Sequence, residues 1–547
     1  MVKTCARLCA MTMLLTMIAY AVAAPVTGAL EEGPLGLYDG AAFRLTNGRC
    51  GDCATLPQAL WYFQDEVIAV PKAGLPLSAY STTERGKGDV RAWAASPVSG
   101  TPAYPGLVWM GAPHVVPTAT VTADGQHLTT PDGVQMALHI VPKIATNLSY
   151  FDASSRAFFS QRPVRLRGTA SSDGQGRPRF TARTIWPSDF TIGQGALTLL
   201  PLTPSDTLRD FVQAENGGAK SAYSNRLIWQ RHPGTPVAGK PVLTIMLNGA
   251  QGDDDESLAG HFNIATGNLG PHGEWAGLMA NNFYTLDAYG EKGILAGPVP
   301  MDNYLADLNS GQGYYRPSTM LVVVLNNART AAAYQGGVQR IFNHYYRHDL
   351  LFDGAQQNCT GLSMDVFTAL GWNIPRRGAT HPLEALAAYP YKAILDRSLA
   401  SGRQAYEYLN EEQTRLYPAV AFEAAGQDLL HLLAGRTSRA LTLYERQLQS
   451  DVEAVILVRI PQLPSSRVFG SAPVFSYDEY MARAPANHAD WKIIPVAPRP
   501  FPAGLKDGLA LTVPARSLLP WPVAAAWGIV LLTLAGLVWW WRRRRQH

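Results

Sequence analysis

Residues 356–372 read QQNCTGLSMDVFTALGW and contain the only cysteine after residue 53. Apolar side chains recur there on one helical face: Leu362, Val366, Phe367 and Leu370. This spacing predicts a helix from about Thr360 to Trp372, with Cys359 at its N-terminus. The unpaired amides and the dipole of a helix N-terminus stabilise a thiolate and can donate to an oxyanion. Cys359 is therefore either an activated nucleophile or a small buried residue that begins a helix.

A thiolate nucleophile needs an imidazole that accepts its proton and later returns it. The stretch SLAGHFNIATG places His261 after a glycine, at the start of an alternating strand with Phe262 and Ile264 on one side. A ring at the end of a strand is held rigidly, so His261 is the candidate base. The alternative is a surface histidine on that strand.

The order of these features resembles the circularly permuted papain-like superfamily, which includes the NlpC-type permuted enzymes and the lecithin:retinol acyltransferase group. In that superfamily a histidine opening a strand precedes the cysteine, often by about a hundred residues, and here Cys359 follows His261 by 98. The stretch YYRHDLLFDGAQQNCTGLSMDVFTALG further resembles the periplasmic domain of Lnb-type bacterial lipoprotein N-acyltransferases. There, too, a tyrosine-rich segment leads to an Asn-Cys-Thr motif.

The resemblance implies that Cys359 is the nucleophile and His261 the general acid and base. A third polar residue, which orients the imidazole in the superfamily, should come from the strand after His261. His272 in LGPHGEW lies at a suitable separation, although Gly270-Pro271 before it indicates a turn. Asn281 and Asn282 lie in a predicted strand. All three stay open, with His272 ranked slightly ahead.

The two ends of the chain carry membrane signals. Residues 1–23 have a basic start, an apolar run and an Ala-Val-Ala site, as in a bacterial secretory signal peptide, and an uncleaved anchor is the alternative. Residues 521–541 are uncharged over a length that spans a bilayer, and four arginines follow. The positive-inside rule predicts one pass through the bacterial inner membrane, with the bulk of the chain periplasmic. We favour a retained anchor over a sorting signal that is removed after export.

Between these ends the sequence pattern changes near residue 235. Short predicted strands and turns come before it, and apolar predicted strands followed by helices come after it. We therefore expect an α+β chain, with a β-rich domain, either barrel or sandwich, before a permuted papain-like thiol-enzyme domain. The expected segments are a signal peptide (1–23), the β-rich domain (24–235), the Cys/His domain (236–395), a helical and proline-rich extension (396–519), a transmembrane anchor (521–541) and a basic cytoplasmic tail (542–547).

Three further groups have less specific patterns. Cys50 and Cys53 are close enough to form a disulfide in an oxidising compartment, although a redox pair or half of a metal site has the same spacing. The acidic run 253–256 is expected to be a solvated loop because it lacks the spacing of a calcium loop. His344 and His348 are four residues apart on a predicted helix, but no third ligand accompanies them, so we expect no metal.

Composition limits the classes of function. The chain is 47% hydrophobic and 16% charged with a net charge of +4, so we expect no nucleic-acid partner. No phosphate-binding loop, dinucleotide fingerprint or serine elbow occurs, and we expect no cofactor.

These patterns predict a thioester-forming enzyme that transfers or hydrolyses an acyl group on an envelope substrate, with a lipid or lipoprotein favoured. A cell-wall peptide amidase or peptidase is the enzymatic alternative. The other alternative is a non-catalytic envelope scaffold, in which Cys359 would be buried and unreactive and His261 out of its reach.

Overall fold

The fold is taken from a computed structural model of the chain. It describes residues 44–45, 58–59, 68–71, 84–96, 107–110, 112, 114–141, 151–193, 197–250, 258–275, 277–283, 297–308, 311–346, 350, 352–379, 381–464, 470–487 and 517–545. The predicted signal peptide, Cys50, Cys53 and the acidic run 253–256 lie outside the described residues.

The strands, in chain order, are β1 Arg44–Leu45, β2 Gln58–Ala59, β3 Ile68–Pro71, β4 Leu107–Met110, β5 His114–Val121, β6 His127–Thr129, β7 Gln135–Ile140, β8 Val164–Ser172, β9 Pro178–Pro187, β10 Ser224–Gln230, β11 Pro241–Asn248, β12 His261–Asn268, β13 Leu278–Asn282, β14 Gly297–Pro300, β15 Ser318–Leu325 and β16 Val452–Ile460.

The helices are α1 Lys87–Ala95, α2 Ala153–Phe159, α3 Leu208–Gln213, α4 Glu215–Gly218, α5 Met301–Ala306, α6 Gln312–Tyr315, α7 Arg329–Tyr346, α8 Cys359–Leu370, α9 Pro382–Leu395, α10 Leu399–Asn410, α11 Gln413–Leu416, α12 Pro418–Leu433, α13 Leu443–Asp451, α14 Tyr477–Arg483 and α15 Trp521–Arg544. The chain is thus mixed α+β, as predicted.

A seven-stranded sheet forms the centre of the fold, in the order β10-β16-β15-β11-β12-β13-β14, with every neighbouring pair antiparallel. Its inner strand β15, STMLVVVL, is buried along its whole length, as a run of apolar and β-branched residues requires. The domain boundaries expected at 235/236 and 395/396 cut through this sheet, because β10 lies before the first and β16 after the second. Strand pairing joins segments that the local sequence pattern separates.

A closed five-stranded barrel, in the order β5-β6-β7-β9-β8, lies within the predicted β-rich segment. All of its pairs are antiparallel except β7 with β9. Closure gives every strand two neighbours and removes the exposed edges that an open sheet would leave.

Two hydrophobic cores lie on opposite faces of the sheet. Alternate residues of β11 face them: Ile245 and Leu247 contribute to the core beneath α7, α8 and α12, whereas Val242 and Met246 contribute to the other. This second core is continuous with the barrel interior. The molecule is therefore layered as helices, sheet and barrel, with the barrel fixed to the sheet.

The helix α15 is 24 residues long and apolar enough to cross a membrane, and little of it is covered by the rest of the chain. Its first residue is Trp521, where the predicted span also begins. Its last turn carries Arg542, Arg543 and Arg544.

A buried ion pair joins the barrel to the sheet layer. The Arg167 side chain on β8 donates to the Asp302 carboxylate on α5 at 3.1 to 3.2 Å, and Arg165 donates to it at 3.4 Å. Burial raises the pKa of Asp302, but the charges of Arg167 and Arg165 outweigh it and hold the pKa below its usual value. The carboxylate is thus ionised and shared by two buried guanidinium groups.

Replacing Asp302 by Ala should lower the free energy of unfolding by about 3–5 kcal/mol, because it removes one partner from a buried charge cluster. The exposed pair of Arg162 and Asp189, 3.3 Å apart, provides the control, and Asp189→Ala should cost no more than about 1 kcal/mol. Denaturant unfolding of both variants measures the difference. Equal losses would show that the Asp302 cluster does not hold the barrel in place.

Candidate active site

Strand register brings polar residues to one end of the central sheet. Asn248, the last residue of β11, lies opposite His261 on one side and Ser318 on the other. The apolar parts of these strands run away from that end into the two cores. Three polar side chains therefore meet at the edge where the strands stop.

Gly260 fixes the entry of the chain into β12. Its φ is +80°, a left-handed conformation that glycine adopts without strain. A Cβ here would overlap the carbonyl oxygen of Asn248 and lie 2.8 Å from Pro473. The glycine noted in the sequence thus lets the chain pass close to β11 immediately before His261.

The His261 ring is held by an asparagine from the neighbouring strand. His261 is 4% exposed, and its Nε2 lies 3.0 Å from Oδ1 of Asn282, which also accepts from Nδ2 of Asn263 at 3.1 Å. An amide oxygen only accepts, so Nε2 carries the proton and the lone pair lies on Nδ1. The ring is thereby in the tautomer that can accept a proton at Nδ1.

The other two candidates for the third position lie elsewhere. Asn281 bonds to Gln335 of α7, its Nδ2 donating at 3.0 Å, and it also donates to the carbonyl of Ile264 at 3.1 Å. His272 lies in the loop after β12, at the end of the strand opposite to His261, roughly 20 Å away at about 3.3 Å per residue. It lines a cavity of about 570 Å³ between barrel and sheet. By its position Asn282, not the slightly favoured His272, orients the imidazole, because Gly270-Pro271 turns the chain away before His272.

Cys359 is the first residue of α8, one residue earlier than the predicted start. Asn358 caps the helix, and its side chain accepts from the backbone N–H of Gly361 at 2.7 Å. The residue as a whole is partly exposed, and its Sγ lies 3.9 Å from Oγ1 of Thr360. An Asn-Cys pair before an apolar helical face thus places the sulfur at a capped N-terminus.

The sulfur also contacts the strand that carries the histidine. Burial raises the pKa of the Cys359 thiol, while a hydrogen bond from the backbone N–H of Phe262 opposes that rise. Phe262 directly follows His261, so α8 brings the thiol to the start of β12. Cys359 and the His261–Asn282 pair therefore lie near the same end of the sheet, and Phe262 is a residue of β12 whose side chain faces the core beneath α8.

Arg316 is a further charged group at this site, and the sequence pattern did not indicate it. It is 6% exposed, and its Nη1 donates a long bond of 3.4 Å to the carbonyl of Gly249. Its Nε has no hydrogen-bond partner, and no carboxylate among the described residues pairs with it. Its charge lowers the pKa values of both His261 and Cys359. No motif precedes Arg316, and only the register of β15 beside β11 places it here.

The resting pair is neutral. Burial, with the Arg316 charge second, lowers the pKa of His261 to about 3 despite the Asn282 hydrogen bond, and burial raises that of Cys359. The expectation that the helix N-terminus lowers the thiol pKa is therefore wrong for this resting state, because desolvation is the larger effect. Both the imidazole and the thiol are therefore uncharged at neutral pH.

A second polar chain supports the site from α5. The hydroxyl of Tyr304 donates to Oδ1 of Asn248, whose Nδ2 donates to Oγ of Ser318 at 2.7 Å. The Tyr304 and His261 rings are 6.3 Å apart. These three residues hold the strand ends in place. The sequence pattern did not indicate them, because tyrosine, asparagine and serine are common at strand ends.

His344 has a structural environment. Its Nε2 lies 2.8 Å from Oδ2 of Asp89 on α1, and Arg340 donates to the same carboxylate at 2.6 Å. The histidine is fully buried. Within the described residues, no group of three metal-ligating side chains occurs. His344 therefore fixes α1 to α7.

Comparisons with protein-family models, with curated proteins and with solved structures found no match to this chain.

The buried neutral imidazole should make folding stability depend on pH. The pKa of His261 is about 3 in the folded chain and about 6.5 when solvated, so the unfolded state binds more protons between these values. The free energy of unfolding should therefore fall as pH drops below 6.5. His261→Gln removes the uptake of up to one proton on unfolding. It should therefore reduce the slope of unfolding free energy against pH by up to about 1.4 kcal/mol per pH unit.

Denaturant titrations between about pH 4 and pH 7 measure this slope. His139→Gln, a change at an exposed histidine of the barrel, is the control and should keep the wild-type slope. A His261→Gln slope equal to the wild-type slope would show that the imidazole is solvated.

Proposed function

We propose that the chain is a membrane-anchored extracytoplasmic enzyme that uses Cys359 as nucleophile to transfer or hydrolyse an acyl group. One observation carries the proposal. The Cys359 thiol lies against the amide that follows His261, and that histidine is oriented by Asn282. A thiol, a base and a group that orients the base are the parts of nucleophilic acyl transfer.

The first half of the reaction forms a thioester. Nδ1 of His261 takes the Cys359 proton as Sγ attacks the acyl carbonyl carbon. The carbonyl oxygen becomes an oxyanion near the first-turn amides of α8, which have no acceptor within the helix. Collapse breaks the bond to the leaving alcohol or amine, which receives the proton from His261.

In the second half, an amine or water attacks the thioester carbonyl. His261 accepts the proton of the attacking group, and the Cys359 sulfur leaves and is reprotonated. The acyl group ends as an amide or a free acid, and the enzyme returns to its neutral state. The resemblance of the Asn358-Cys359 motif to that of the permuted papain-like enzymes supports these roles.

Arg316 suits this cycle better than it suits the resting state. Arg316 is 94% buried. Its positive charge does not stabilise a neutral thiol or imidazole, whereas it does stabilise a thiolate and an oxyanion. We infer that the charge of Arg316 stabilises the negative charge that develops on Sγ and on the acyl oxygen. Its cost in the resting state is then offset during the reaction.

The C-terminal helix supports a substrate at the membrane. With α15 spanning the bacterial inner membrane and its arginines in the cytoplasm, the catalytic residues would face the periplasm. A lipid or lipoprotein acyl donor is then the favoured substrate, and a cell-wall peptide is the alternative.

Incubating the purified protein with an acyl ester should give a covalent adduct on Cys359 that hydroxylamine removes. Acid quenching and peptide mass spectrometry detect it. His261→Gln should slow adduct formation by about 10²–10⁴-fold, because a general base is lost. Asn282→Ala should slow it less, since the ring keeps its base but loses its orientation.

His272→Gln is the matched control and should acylate at the wild-type rate. An adduct on another residue, or equal rates in wild type and His261→Gln, would contradict the proposal. In that case the non-catalytic scaffold becomes the better description, with Cys359 as a structural residue.

A further inference from the structure

Helices α9 and α10 form a tight antiparallel hairpin beside the C-terminal helix. They meet at Gly402, where a Cβ would lie 2.6 Å from the carbonyl oxygen of Tyr389 and 2.8 Å from Cβ of Ala393. Arg397, with φ of 50°, makes the turn between them. The hairpin is thus a rigid unit of two helices.

The outer face of α9 is an apolar stripe open to the surroundings. The exposed residues recur at helical spacing: Leu383, Ala387, Tyr391, Ile394 and Leu395. Leu383 is 80% and Ile394 is 77% exposed, and Leu399 continues the stripe at the start of α10. Of the twelve exposed large apolar side chains described before α15, five lie on this hairpin. Such concentration marks an interaction surface.

The hairpin is fixed to α15 by a specific hydrogen bond. Pro390 lies inside α9 and has no N–H, so the carbonyl of Leu386, four residues earlier, loses its helical donor. Nε1 of Trp527 on α15 donates to that carbonyl at 3.1 Å. Tyr389 also donates its hydroxyl to the carbonyl of Leu518 at 2.8 Å. The proline thus leaves the Leu386 carbonyl without a helical donor, and the indole N–H of Trp527 takes that donor's place.

These contacts set the depth of the hairpin. Trp527 comes six residues after Trp521, about 9 Å along the helix axis at 1.5 Å per residue. Trp521 is exposed at the start of the apolar span, where tryptophans lie at the membrane–water interface. Leu386 therefore lies about as deep as the apolar face of an interfacial helix, which enters a bilayer by about 5–10 Å.

We propose that the α9–α10 hairpin is embedded in the membrane leaflet on the side of the soluble layers, with its apolar stripe against lipid. The occupant of this surface is the bilayer, because the stripe is continuous with the helix that crosses it. The inference rests on α15 spanning a membrane, which is part of the proposed function.

The hairpin also connects the bilayer to the catalytic helix. It follows α8 in the chain, and α11 follows it. Arg415 of α11 donates to the carbonyl of Gln356 at 2.7 Å and pairs with Asp365 of α8 at 3.2 Å. Both ends of the hairpin are therefore connected to the segment that carries Cys359.

Spin labels at three positions of the full chain, with its native cysteines changed to serine and the protein in phospholipid vesicles, test the depth. Ile394→Cys should be accessible to oxygen and shielded from a water-soluble nickel complex, like the reference Val530→Cys in α15. Leu443→Cys is the control, since Leu443 is 65% exposed but lies on α13. It should show the aqueous pattern.

An aqueous pattern at position 394 with a lipid pattern at 530 overturns the inference and leaves the anchor intact. An aqueous pattern at 530 overturns both the anchor and the inference. None of these readings needs catalytic activity, so a failure of the proposed chemistry is distinguishable.

Activity provides the second measurement. Replacing Leu383 and Ile394 together by Gln should slow acylation from phospholipid vesicles at least tenfold and leave acylation by a water-soluble ester unchanged. Leu443→Gln should change neither rate. Equal loss on both substrates would show damage to the fold, and no loss would show that the stripe does not serve lipid access.

Discussion

The antiparallel register of β11 with β12 and β15 is the constraint from which the site follows. It aligns Asn248, His261 and Ser318 at one end of the sheet. A shift of one residue would move every side chain of a strand to the opposite face. Because both faces are buried in separate cores, a shifted strand would fit neither core, and the same packing fixes which polar residues meet at the end of the sheet.

Burial at that end has a consequence for the chemistry. The environment that fixes the His261 ring also removes water from it, so the uncharged form is favoured for both the imidazole and the thiol. An enzyme of this kind would make its ion pair only when a substrate is present. Arg316 pairs with no carboxylate among the described residues, and in the proposed reaction its charge would stabilise the thiolate and the oxyanion.

The local sequence pattern was sufficient to predict the helix that begins at Cys359 and the strand that begins at His261. The helix predicted from Thr360 to Trp372 is observed as Cys359–Leu370, and it ends at Gly371, whose φ of 103° suits a glycine C-cap. The strand predicted to begin at His261 does begin there. In both cases an apolar period and an end signal lie within a dozen residues.

What the pattern could not supply is pairing between distant segments. Nothing near Val452–Ile460 indicates that this strand inserts between β10 and β15, and nothing near Arg316 indicates that its charge acts on the thiol. The choice between His272 and Asn282 depends on the same kind of pairing. Separation along the chain favoured His272, whereas position across the sheet decides which side chain meets the ring.

The proline in α9 shows how such long-range placement is fixed by one backbone group. Inside a helix, Pro390 leaves the carbonyl of Leu386 without its usual donor, which is costly in an apolar setting. The indole of Trp527 satisfies it, so the C-terminal helix and the hairpin stabilise each other only in this arrangement. A C-terminal helix that served only as a tether would not require the hydrogen bond from Trp527 to Leu386. A hairpin surrounded by water would not be expected to carry an apolar stripe. Together they support the proposal that the hairpin and the C-terminal helix hold the rest of the chain at a bilayer in one orientation.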